Sequence, residues 1–114
     1  MRSIFHKHGL SAYRQLPKFG FNNAKTYAGL QRMADLAAEF SEDNIRVNGI
    51  APGYYATAIT TNTRSNPESN RRVLEHIPAG RWGEPLDLMG TVVFLASRAS
   101  DYVNGHVLAV DGGY

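Results

Sequence analysis

The sequence predicts an α/β fold, and three observations predict it. Two short runs of mostly branched and small apolar residues, Ile45–Ala51 and His106–Val110, each end on a glycine-containing stop: Pro52-Gly53 in one case, Asp111-Gly112-Gly113 in the other. Such runs read as buried strands. The stretches before the first run and between the two carry apolar side chains at helical spacing. The resulting order of helix, strand, helices, strand makes two parallel strands with flanking helices, because parallel neighbours require a long crossover.

Taken in order, residues 1–20 (MRSIFHKHGLSAYRQLPKFG) hold neither a helical nor a strand period, so they are set apart as an N-terminal arm. Their arginine and serine content without acids is that of a transit peptide, and a solvated arm or a start inside a longer reading frame fits equally. His6 and His8 form an isolated H-x-H with no further ligand nearby, so no metal site is assigned. From Asn22 to Glu42 the pattern turns helical. Tyr27, Leu30, Ala34 and Ala37 fall at i, i+3, i+7 and i+10, and Met33, Leu36 and Phe40 widen the stripe. Asn22 or Asn23 suits the N-cap, and Asp43-Asn44 suits the stop.

After the first strand, residues 58–70 are polar and uncharged apart from Arg64 and Glu68, which predicts a loop or lid. Pro67-Glu68 can open a short helix running through Glu75. Pro78–Gly83 is a turn-rich joint with the single Trp, Trp82, and Pro85 stands well at the first position of a helix reaching Ser97. Glu84 and Asp87 then lie near the positive end of its dipole. Asp101–Gly105 turns the chain into the second strand.

Composition narrows the function classes. The chain of 114 residues fits one domain. It has no cysteine, which excludes disulfides and thiolate metal sites and suits a reducing cytoplasm. No apolar run approaches the ~18 residues that would span a bilayer, so no membrane partner is expected. The formal charge is +2, but the arm holds Arg2, Lys7, Arg14 and Lys18 with no acid, leaving residues 21–114 slightly acidic. No nucleic-acid footprint is expected on that part, since one would need basic residues gathered on a face.

Three segments, VNGIAPG, IPAGRWGEPLDLMGTVVFLAS and SDYVNGHVLAVDGG, resemble in order the C-terminal part of a short-chain dehydrogenase/reductase. APGYYAT and IPAGRWG look most like its sugar-acid branch, the 2-deoxy-D-gluconate 3-dehydrogenases, also described as 2-dehydro-3-deoxy-D-gluconate 5-dehydrogenases. The resemblance implies the C-terminal portion of a doubly wound, Rossmann-like fold in residues 21–114. It also implies a nicotinamide cofactor (NAD or NADP), a sugar-acid substrate and a homo-oligomer in a complete enzyme. No G-x-G-x-x-G phosphate loop occurs in this chain, so it corresponds to less than half of such an enzyme. A truncated oxidoreductase and a non-catalytic interaction module are both compatible with that content.

Carried over residue by residue, the resemblance puts Pro52 and Gly53 against the nicotinamide ring. Tyr55 stands where a main-chain N–H meets the carboxamide, and Thr57 where a hydroxyl meets carboxamide or phosphate. The family's catalytic Tyr-x-x-x-Lys sits one helical turn apart, so the Lys charge favours the tyrosinate. Counted back from Asn48 without a gap, Asn22 and Thr26 take these positions; with one extra residue, Phe21-Asn22-Asn23-Ala24-Lys25 keeps the lysine and replaces the tyrosine with phenylalanine. Lys25 is therefore the one catalytic position assigned. Asn48 is read as securing backbone, and Arg81 and Asp101 as structural. The resemblance also implies a substrate-covering segment over residues 58–70 and the short helix through Glu75.

Overall fold

The computed structural model describes residues 24–114; the arm and Phe21–Asn23 lie outside the described residues. Helix α1 (Ala24–Phe40) presents Ala34, Ala37 and Ala38, all buried, and Met33 to the rest of the chain. These small side chains let the helix approach closely. A Cβ on Gly49 would stand 3.1 Å from the Met33 sulfur, which places α1 directly over the first strand. The predicted stop is realised by Asn44 in the left-handed region, φ 60°, which asparagine tolerates better than most residues.

Strand β1 (Gly49–Pro52) pairs in parallel with strand β2 (Val107–Val110), Gly49 opposite Val107 and Pro52 opposite Val110. The predicted adjacency and direction are thus both present. β1 is shorter than the predicted Ile45–Ala51, for a physical reason. Over residues 46–48 one backbone bond remains, Gly105 N–H to the Val47 carbonyl at 2.8 Å, and the chain is otherwise tied to its neighbour by side chains. Arg46 Nε donates to the Asp101 carbonyl at 2.6 Å, and Val47 N–H donates to Asn104 Oδ1 at 3.0 Å. The Asn48 amide donates to the Val103 carbonyl at 3.0 Å and accepts the His106 N–H at 3.1 Å. Asn48 thus secures backbone, as expected. Pro52 extends the strand instead of stopping it. Gly49 and Gly53 both donate to the β2 side, so with a period of two the N–H that Pro52 lacks would have faced away from β2.

The crossover differs most from expectation. Residues 58–70 are no irregular loop: a 3-10 turn at Ala58–Thr60 leads into α2 (Thr61–Ser65), followed by α3 (Pro67–Glu75). α3 has the predicted bounds, because its signals are local. The Asn66 carboxamide accepts the Ser69 N–H at 3.0 Å, Pro67 fills the first turn, and Glu68–Arg72 and Arg71–Glu75 pair one turn apart. Pro85 opens a 3-10 turn (Pro85–Leu88) that becomes α4 (Met89–Ala96).

The buried core is small: Ala34, Ala37, Ala38, Tyr55, Ile77 and Val107, while Leu86, Met89 and Val93 are exposed. Parallel strands are ordinarily covered on both faces, and here most strand residues are half-buried. No described helix is long and apolar enough to cross a membrane.

Asn104 joins three elements at the amino ends of the strands, since its amide also donates to the Ala37 carbonyl of α1 at 3.0 Å. Asn104→Ala would leave the Val47 N–H without its acceptor and take one donor from the Ala37 carbonyl. A half-buried unmade bond costs about 1–3 kcal/mol, so the expected result is a lowered thermal midpoint with faster amide exchange at Val47. Unchanged exchange at Val47 would contradict it.

Candidate functional site

The carboxyl ends of β1 and β2 are where an open α/β sheet places its ligands, and the predicted residues Pro52, Gly53 and Tyr55 meet there. Gly53 is needed for close approach, but of protein to protein. Its N–H donates to the Val110 carbonyl at 3.1 Å, and a Cβ on it would stand 2.6 Å from Asp111 Cβ and 2.8 Å from Asp111 Cα. Its φ is not positive. Pro52 beside it is exposed.

Tyr55 is buried, at 9% exposure, and its hydroxyl donates to the Val110 carbonyl at 2.7 Å, bracing the end of β2. The ring lies against Gly83, where a Cβ would come within 2.7 Å of it. An isolated parallel bridge joins Tyr55 to Gly83. Ala56 N–H donates to the Gly83 carbonyl and Gly83 N–H to the Tyr54 carbonyl, each at 2.8 Å. The N–H of Tyr55 itself stays outside that bridge. Burial first, then the charges of Asp87 and Asp111, push the Tyr55 phenol above its usual value. It stays neutral and serves as a brace.

A cleft of about 180 Å³ opens beside this point, lined by Tyr54, Tyr55, Arg81, Asp87, Val110 and Asp111. Tyr54 meets Trp82 edge-on with centroids 5.6 Å apart and Tyr114 at 5.3 Å. The Trp82 indole N–H donates to Asn70 Oδ1 at 2.7 Å, tying α3 to the joint. Arg81 grips Asp87 with two bonds, Nη1 to Oδ2 at 2.7 Å and Nη2 to Oδ1 at 3.0 Å, and Asp87 also accepts the Glu84 N–H at 2.7 Å. Arg81 is thus structural, as expected.

The guanidinium of Arg81, followed by the Glu84 N–H, holds the Asp87 carboxyl down to about 2, against 3.8 ordinarily. A depressed folded-state value means that the pair's stabilisation is complete above 3.8 and lost as pH falls through about 2. A carbon-13 titration of Asp87 is expected to show a midpoint near 2, and Arg81→Gln to move it up towards 3.8. An Asp87 midpoint unmoved by that substitution would assign the shift elsewhere.

Thr57 lies beyond the strand ends and is exposed, its N–H donating to Thr60 Oγ1 at 3.0 Å. Lys25 lies in the first turn of α1; its side chain is outside the described residues. No group of three His, Asp or Glu among the described residues is placed to hold a metal. Sequence reasoning missed Gly83 and Asp111, whose roles depend on partners far away in the chain. It also missed Arg64, which donates to the Thr57 carbonyl at 3.0 Å. Its signal was in plain view: it is the one charged residue between Val47 and Pro67.

The family model described as enoyl-(acyl carrier protein) reductase matches residues 9–114. An oxidoreductase of uncharacterised activity from Escherichia coli K12, YgcW, is 72% identical over 76 residues, covering 67% of this chain and 29% of that protein. The 2-dehydro-3-deoxy-D-gluconate 5-dehydrogenase of Bacillus subtilis 168 is 56% identical over 87 residues, covering 76% of this chain and 34% of the relative. Among solved structures, a gluconate 5-dehydrogenase from Burkholderia cenocepacia J2315, in complex with NADP and tartrate, superimposes with a TM-score of 0.74. It is 38% identical and covers 79% of this chain and 35% of that one. The chain spans about a third of the length of the curated relatives it matches.

Proposed function

Since this chain belongs to the short-chain dehydrogenase/reductase family, we propose that it forms the nicotinamide-facing part of an oxidoreductase acting on the CH–OH group of a sugar acid such as 2-dehydro-3-deoxy-D-gluconate. The observation that carries the proposal is the edge at the carboxyl ends of the strands, where exposed Pro52, the Tyr55 N–H and exposed Thr57 follow one another. This edge suits the nicotinamide end of NAD or NADP. The phosphate-binding half of such a site has no counterpart in this sequence.

When bound, the nicotinamide supplies the hydride acceptor for the carbinol. Pro52 and Gly53 seat the ring, the Tyr55 N–H orients the carboxamide and the Thr57 hydroxyl holds carboxamide or phosphate. The Tyr55 side chain, locked on Val110, fixes that N–H in place. Lys25 keeps the position of the family's lysine, whose charge would favour an ionised hydroxyl beside it. The direction of α1 supports this. Ala37 is level with Asn104 and Val47, and Met33 with Gly49, so α1 runs opposite to β1. Eight residues of helix cover about 12 Å and the four from Gly49 to Gly53 about 13 Å, which brings the Lys25 backbone level with the strand ends. No proton-transferring group is assigned, because Phe21 stands where the tyrosine would be.

Residues 1–20 remain an arm and residues 21–114 the dehydrogenase part in this reading, in a cytoplasmic protein without nucleic-acid or membrane partners. A second reading, an interaction module or homo-oligomer surface, is favoured by the exposed Leu86, Met89 and Val93; light scattering of the purified chain tests it. The catalytic reading is tested by grafting residues 45–114 in place of the matching segment of the Bacillus dehydrogenase and following reduced-nicotinamide absorbance with sugar acids. Absence of turnover in a folded graft would overturn it.

A further inference from the structure

We propose that Arg64 is the residue that reads the carboxylate of the substrate. The assignment rests on the sugar-acid reading of the site and names the group that selects an acid over a neutral polyol.

Arg64 is half-buried in α2, against the loop that carries Thr57. Its Nη2 donates to the Thr57 carbonyl at 3.0 Å and its Nε to Thr60 Oγ1 at 3.3 Å. Both acceptors are neutral and heavily shared. The Thr57 carbonyl also receives Thr60 N–H at 3.2 Å, Thr60 Oγ1 at 3.1 Å and Thr61 Oγ1 at 3.3 Å. The single Thr60 hydroxyl proton lies closer to the Tyr55 carbonyl, at 2.7 Å, than to that of Thr57, and Oγ1 accepts the Thr57 N–H. These contacts fix the direction of the guanidinium without neutralising it. Three of its five N–H groups, including both on Nη1, have no partner among the described residues.

Charge bookkeeping singles this arginine out. Arg71, Arg72, Arg81 and Arg98 each meet a carboxylate. Arg64 meets none among the described residues, and the next acid in the chain, Glu68, is taken by Arg72. Arg32 and Arg46 are both exposed, and Arg46 bonds Asn44 and the Asp101 carbonyl at the opposite, amino end of the strands. A guanidinium held on neutral acceptors with no carboxylate beside it keeps its charge available to an anionic ligand. Its planar fork suits the two oxygens of a carboxylate. The Thr61 hydroxyl, one turn before Arg64 on α2, is a neutral group with acceptor capacity left for an alcohol of a sugar chain.

The test measures D-gluconate, galactitol and NADPH binding to the 114-residue chain and to the graft of residues 45–114, as wild type, Arg64→Gln and Arg64→Lys, with melting curves confirming each fold. A charge-assisted pair corresponds to about 10–100-fold in affinity. Arg64→Gln is expected to weaken gluconate by that factor and Arg64→Lys by less, with galactitol and NADPH unchanged. Equal gluconate affinity in wild type and Arg64→Gln, no gluconate binding in either protein, a loss shared with galactitol, or a loss confined to NADPH (a phosphate contact) would each overturn the proposal. Arg64-dependent gluconate binding without hydride transfer would overturn the catalytic reading and leave this one standing.

Discussion

Gly53→Ala is expected to destabilise the fold markedly. The new carbon would arrive 2.6 Å from Asp111 Cβ and 2.8 Å from Asp111 Cα. The second of these is backbone, so no side-chain rotation relieves the overlap. The carboxyl ends of β1 and β2 would have to separate, stretching the Gly53 N–H bond to Val110 and pulling on the carbonyl that Tyr55 holds. Overpacking of this kind costs about 1–3 kcal/mol, and in a domain of this size that lowers the melting temperature by about 5–20 °C. The thermal midpoint by circular dichroism measures it. Gly29 and Gly90 provide controls of opposite sign, since each is helical and a Cβ there meets nothing within 4 Å. Alanine at either is expected to stabilise by about 0.5–1 kcal/mol. A Gly53→Ala protein as stable as these two would refute the packing account.

The same residue illustrates what was legible in the sequence. Pro52-Gly53 marked the end of a strand correctly, because the backbone limits of proline and glycine are local properties. Gly53 was read as a place of close approach, and on its Cβ side the structure puts Asp111, which is remote in the chain. Pro67–Glu75 could be placed to the residue because Asn66, Pro67 and the two ion pairs are all encoded within one helix. The first strand was overextended at Ile45, because apolar branching there cannot reveal that Asn48 and Asn104 replace much of the ladder with side-chain bonds. Residues 58–65 were read as loop since threonine and asparagine are weak helix formers. What folds them is one hydroxyl, Thr60 Oγ1, serving Tyr55, Thr57 and Arg64 at once. Tyr55 was assigned through its main chain alone; its side-chain role depends on Gly83 and Val110, contacts that no local pattern encodes.

The 114-residue polypeptide by itself is expected to turn over sugar acids at least about 10²-fold more slowly than the graft of residues 45–114 into the Bacillus dehydrogenase. Two separate deficits produce the difference. In the proposed reading the strand ends would hold only the nicotinamide end of a dinucleotide, whereas the diphosphate of such a ligand is ordinarily held by a glycine-rich turn and the helix N-terminus after it. This sequence contains no such turn, so cofactor affinity falls. Independently, Phe21 or Asn22 stands where a tyrosine would move the proton, and general acid/base catalysis is worth about 10²–10⁴-fold. One deficit acts on binding and the other on the chemical step, so they multiply. Raising NAD or NADP to saturation should therefore recover part of the rate in the isolated chain and never the whole. The measurement is reduced-nicotinamide absorbance for both proteins across a concentration series of each cofactor. Equal turnover at saturation would refute the chemical deficit and require a base among the residues present. Tyr27, two residues beyond Lys25 and 43% exposed on α1, would then be the first position to replace.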